Sequence, residues 1–150
     1  MSCPFFNLKK ASLTCVLAVA AMCCSAQKQL LSYQDFQYIT QNNAAAVTTF
    51  LQQKDYHLQS SSNGNIRFFG LMADEDYNDI DISIQGKRTI VVLNTTDLLQ
   101  VKNIQNSLNS YSFKNTKNGK LYRIKDAGIN TLNLKEPAST EKPYTIQFEN

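Results

Sequence analysis

The chain has 150 residues, 15 basic and 12 acidic side chains, a formal net charge of +3, one histidine, four cysteines and no tryptophan. That length suits one ordinary domain or two tightly joined half-domains, large enough to bury a core. Charge so near balance excludes the electrostatic signature of a nucleic-acid binder.

The chain opens with a leader pattern. Lys9 and Lys10 form a positive start, and Ala11 to Cys24 is an apolar run of about fourteen residues. Such a run fits a secretory signal and falls short of the roughly twenty residues of a spanning helix. The small residues Cys24-Ser25-Ala26 predict a signal peptide over 1–26, with cleavage before Gln27. The protein is then exported, periplasmic or extracellular, with no membrane span after cleavage. Lipid anchoring at Cys23 or Cys24 is the minor alternative. All four cysteines (Cys3, Cys15, Cys23, Cys24) lie in this leader. An exported domain without cysteines has no disulfides and rests on its core alone.

Losing Lys9 and Lys10 lowers the net charge from +3 to +1. The remainder is uneven. Residues 27–94 carry five bases against seven acids, or −2, and residues 95–150 carry eight against five, or +3. Unlike halves attract each other weakly, or they mark a surface for a partner.

In chain order, Ser32 followed by Asp35 predicts a capping box that opens a helix. Phe36, Ile39, Ala46, Val47, Phe50 and Leu51 recur near helical spacing, with a weak spot at Asn42-Asn43. From Tyr56 the period changes to two, as in a half-buried strand. Asn63-Gly64 then predicts a tight hairpin turn, since both residues tolerate positive φ. Ile66 to Met72 is the next strand, and "ADEDYN" a polar turn. "DIDISI" alternates strictly, with Ile80, Ile82 and Ile84 on one face and Asp79, Asp81 and Ser83 on the other. Gly86-Lys87 turns the chain into a fourth strand, Thr89 to Leu93. Short turns predict an antiparallel meander.

The plan then restarts. Thr95 or Thr96 is placed to cap a helix carrying Leu98, Val101, Ile104 and Leu108, with Asp97 in its first turn. Tyr111 and Phe113 open a strand, Asn118-Gly119 turns it, and "KLYRIK", "INTLNL" and "YTIQFE" supply three more. Gly64 and Gly119 stand 55 positions apart, as do Tyr56 and Tyr111, Val91 and Ile146, and Leu93 and Phe148. The expected fold class is α+β: two tandem helix-plus-four-stranded antiparallel sheet units, over 27–94 and 95–150. Joined edge to edge, with the helices on one face, they leave the other sheet face open.

This order of elements, from about Ser32 to Glu149, resembles the β-lactamase-inhibitor-protein fold and the related PepSY-like domains. The resemblance implies a binding or inhibitory protein whose partner docks on the open sheet face. Unlike that inhibitor, this chain lacks disulfides after the leader. No residue carries over to a known contact.

Motifs for catalysis are absent from the sequence. His57 sits near a strand start, no serine lies in a G-x-S-x-G setting, and the five glycines form no phosphate-binding pattern. Asp74, Asp76 and Asn78 begin like an EF-hand. Asp79 stands where that loop needs glycine, and Gln85 where it needs glutamate. A looser calcium site from Asp74, Asp76, Asn78 and Asp79 is weighed against a solvated hairpin tip, and the expectation is no metal and no cofactor. Asp79 and Asp81 share a strand face, so a carboxylate hydrolase is a minor alternative. A small-ligand carrier with a pocket between helices and sheet is another. The favoured reading is a non-catalytic protein that binds another protein. Its candidate contact residues on the open face are Arg67, Phe69, Leu71, Asp81, Arg123 and Lys125.

Overall fold

A computed structural model describes residues 30–139 and 142–150, so the expected leader, its cysteines and its cleavage site lie outside the described residues. Helix α1 spans Tyr33–Gln41. Its capping box is in place: Ser32 Oγ accepts from the Asp35 N–H at 3.2 Å, and the Asp35 carboxylate accepts from the Ser32 N–H at 2.7 Å. The helix breaks at Asn42-Asn43. Asn43 caps α2 (Ala44–Gln53) by accepting from the Ala46 N–H at 3.0 Å. Asparagine competes with helical hydrogen bonding inside a helix and serves well at its start.

Strands β1 (His57–Ser62), β2 (Asn65–Leu71), β3 (Tyr77–Gln85) and β4 (Arg88–Thr95) follow, then α3 (Leu98–Ser107). β5 (Phe113–Thr116), β6 (Gly119–Asp126), β7 (Ile129–Lys135) and β8 (Tyr144–Glu149) complete the set. The protein is α+β, with three helices and one eight-stranded antiparallel sheet among the described residues. Strand order is β1-β2-β3-β4-β8-β7-β6-β5, so β4 and β8 meet in the middle.

One continuous core lies between the helices and one sheet face. Ile66, Phe68, Ile80, Ile82, Val91, Leu93, Leu132, Leu134, Ile146 and Phe148 point into it at alternate strand positions. Phe36 of α1 stacks on Phe148 of β8 at 4.0 Å between ring centroids. A helix from the first half of the chain therefore packs on the last strand of the second.

Several local expectations need correcting. Asp97, rather than Thr95 or Thr96, caps α3, accepting from the Leu99 N–H at 2.6 Å. β4 runs on to Thr95, and the Thr96 hydroxyl accepts from the Tyr77 N–H at 3.0 Å. The two Asn-Gly phrases do not make the same turn. Asn63 and Gly64 both take positive φ, 48° and 78°. In the second phrase the turn falls on Lys117-Asn118 and Gly119 opens β6, where a Cβ would meet the Leu134 carbonyl oxygen. β1 is an exposed edge strand throughout, with a register shift between Leu58 and Ser60, rather than half-buried. Leu98 is exposed, and Gln100 takes the inward place on α3.

Gln100 is fully buried and ties three elements together. Its amide donates to the Leu31 carbonyl at 2.7 Å, and its oxygen accepts from the Leu31 N–H at 2.8 Å. The same oxygen accepts from Asn78 Nδ2 at 3.2 Å, and Asn78 Nδ2 also reaches the Tyr56 hydroxyl at 2.7 Å. Burial pushes the Tyr56 phenol well above its usual range, so it stays protonated. The Tyr56 ring lies against Gly70, where a Cβ would come within 2.7 Å of Tyr56 Cε1.

Two stability predictions follow from this clamp. Gln100→Leu strips the buried Leu31 N–H of its acceptor and should cost about 2–4 kcal/mol. The measurement is the urea midpoint at unchanged m-value; a loss below about 1 kcal/mol contradicts the clamp. Gly70→Ala forces the Tyr56 ring out of place and should cost about 1–3 kcal/mol by the same assay, while an unchanged midpoint would contradict the packing.

Candidate functional site

The sheet face turned away from the helices has no covering element among the described residues. Strand pairing sets its rows. Arg67, Asp81, Val92, Gln147, Asn133 and Leu121 form one row across β2, β3, β4, β8, β7 and β6. Phe69, Asp79, Asn94, Thr145 and Lys135 form the next.

Arg67 binds Asp79 through two hydrogen bonds, Nε to Oδ1 at 2.9 Å and Nη2 to Oδ2 at 2.6 Å. The planar guanidinium fits a carboxylate with both forks, which fixes its direction. Asp81 stands 3.7 Å from Arg67 Nε, a looser contact, with its side chain about half exposed. Partial burial, then the neighbouring Asp79 carboxylate, push the Asp81 pKa up; Arg67 offsets this only in part. One cation thus serves two carboxylates. Beside them Phe69 stacks on Tyr77 at 5.8 Å between centroids.

Two shallow grooves flank Arg67. One of about 420 Å³ runs past Ser60, Asn65, Arg67, Asp81, Ser83, Ile90 and Val92. The other, of about 570 Å³, is bounded by Gln59, Ser60, Arg67, Phe69 and Asp79. Apolar side chains with charged and hydroxyl groups at their margins are the usual make-up of a recognition surface.

Arg67, Phe69, Leu71 and Asp81 lie together on β2 and β3, with Leu71 exposed at the strand end. Arg123 is exposed on β6, five strand steps from β2, or about 24 Å away. Lys125 takes φ 54° where the β6–β7 register shifts between Arg123 and Asp126, outside the regular ladder. The six residues therefore fall into two groups at opposite ends of the sheet. Tyr77, Ile90 and Val92 join the first group. The sequence hides Tyr77 because it follows the acidic turn, yet it begins β3. Strict alternation with Ile80 and Ile82 was the available signal.

Other sequence candidates are dispersed. Asn78 is buried in the core and bonded to Tyr56 and Gln100, while Asp79 points to the open face. The four groups weighed for calcium thus do not converge. His57 is exposed at the start of β1, opposite Phe69. Among the described residues no group of three or more His, Cys, Asp or Glu is placed to hold a metal, and no helix is long and apolar enough to cross a membrane.

The raised pKa of Asp81 has a defined sign. A group whose pKa is higher when folded stabilises the fold below its unfolded value of 3.8 and loses that contribution as pH rises through the folded value. Asp81→Asn should therefore gain stability over the native chain as pH rises from 3 to 6. The gain is of the order for exposed charges, under about 1 kcal/mol. Urea midpoints of both proteins across that range test it; a gain that shrinks with pH has the wrong sign.

No protein family, curated protein or solved structure matches the chain.

Proposed function

We propose that this is an exported, non-catalytic binding protein of the inhibitor type. In this reading the open face of its sheet contacts another macromolecule. The observation that carries it is the face itself. Among the described residues every helix packs on the other side, and this side presents the Phe69–Tyr77 stack, Ile90 and Val92 beside an anchored Arg67. An aromatic and an arginine held rigid by their neighbours bind at low entropic cost.

The tandem reading belongs to the same proposal. Each half contributes four strands, and the strand order reads outward from β4 and β8 in the same way on both sides. Two α-β-β-β-β units joined at their last strands account for that order, and for the likeness in element order to the β-lactamase-inhibitor-protein and PepSY-like folds. Export rests on the leader pattern of residues 1–26.

The test is capture of partners from the cell-envelope and culture fractions of the source cells on the immobilised mature chain, Gln27 to Asn150. The expected result is one stoichiometric protein, lost with Phe69→Ser and with Arg67→Glu while both variants keep the native melting temperature within a few degrees. Capture that survives both substitutions would move the binding surface elsewhere.

A further inference from the structure

Opposite charges stand in matching positions on the two wings of the open face, although Arg67 also lies beside the carboxylates of the first wing. Its outward carboxylates on β3 are Asp79 and Asp81. On the opposite wing, β6 and β7 present Arg123 and Lys135, both exposed and in no ion pair among the described residues. Strand register makes the arrangement symmetrical. Asp79 faces Asn94, Asn94 faces Thr145, and Thr145 faces Lys135. Asp79 and Lys135 are thus equivalent positions, each one strand outside the β4–β8 seam and in the same row. Asn65 and Arg123 are equivalent in the same way, as are Asp81 and Asn133.

We infer that the occupant of the open face is a second copy of this chain. The copies meet face to face about a two-fold axis running along the β4–β8 seam. This rests on the open-face reading of the preceding section and names its partner. Such an axis exchanges the two wings. It lays β3 of one copy over β7 of the other, and Asp79 over Lys135, twice in each dimer. The alternative axis, across the strands, would stack β3 on β3 and set like charges against each other. Charge therefore selects one of the two face-to-face arrangements.

Dimensions agree. Facing sheets pack about 10 Å apart, a gap that an aspartate and a lysine side chain span together. Eight strands about 4.8 Å apart and about six residues long give a face of roughly 750 Å². Two such faces bury on the order of 1,500 Å², the size of a standard specific interface. Val92 and Ile90 of β4, next to the seam, fall near the centre of that contact, where apolar groups gain most from losing water.

The test uses the chain expressed at full length and recovered after export, with sedimentation equilibrium as the readout. The native protein should be a concentration-dependent dimer that weakens as salt rises. Asp79→Lys and Lys135→Glu should each weaken dimerisation at least about tenfold, since symmetry counts every like-charge contact between positions 79 and 135 twice. Melting temperature reports that both variants remain folded. Mixing the two should restore a dimer within about threefold of the native affinity, because each variant then meets opposite charge. A monomer up to about 0.1 mM, a dimer indifferent to both reversals, or a mixture that stays monomeric overturns the inference. The open-face reading has its own readout, since capture of a different protein through Phe69 would stand even for a monomer.

Discussion

β4 and β8 pair antiparallel from Ile90 opposite Glu149 to Thr95 opposite Tyr144. Without this seam the chain has two four-stranded sheets, each with an extra exposed edge, a form that invites edge pairing. With it there is one sheet with two edges, β1 and β5, and one wide uncovered face. Phe36 secures the seam from behind by stacking on Phe148, which stands opposite Val91. The side chains above the seam, Val92, Asn94, Thr145 and Gln147, are the middle of the surface on which the functional reading rests.

The helical layer is held by polar as well as apolar contacts. Gln100 anchors the segment before α1 through both backbone groups of Leu31 and reaches β3 through Asn78. A buried amide network specifies one arrangement because each alternative leaves a donor or acceptor without a partner in a low-dielectric interior. The cost is visible at Asn78 Oδ1, which is buried with no hydrogen-bond partner. Rigidity behind the sheet matters in front of it, since Asn78 lies between the Tyr77 and Asp79 of the open face.

Much of this was legible in the residues. Strict alternation in "DIDISI" assigns Ile80 and Ile82 to the core and Asp79 and Asp81 to the open face, because a strand has a period of two. The Ser32–Asp35 box and the Asn42-Asn43 break announce their helices through side-chain capping, which is local chemistry. What failed was decided by tertiary context. Gln100 reads as a surface residue by type, although its spacing to Ile104 and Leu108 places it on the inward row of α3. β1 alternates in sequence yet lies at an edge, which no local pattern reveals. The second Asn-Gly phrase slips by one residue because β6 must meet β7 at Gly119, opposite Lys135. The binding candidates on β2 and β6 looked like one set because the sequence supplies alternation but not strand order.

The claim on which the account depends is that β4 and β8 form the centre of one continuous sheet. Residue-resolved amide hydrogen exchange on the native chain tests it most directly. Central strands exchange only by large-scale opening, and edges exchange by fraying. The account predicts the slowest exchange in β4 and β8, at Val91, Leu93, Ile146 and Phe148, and fast exchange along β1 and β5. Exchange in β8 as fast as in β1 would mean that the halves do not share a sheet, and the open face would not exist.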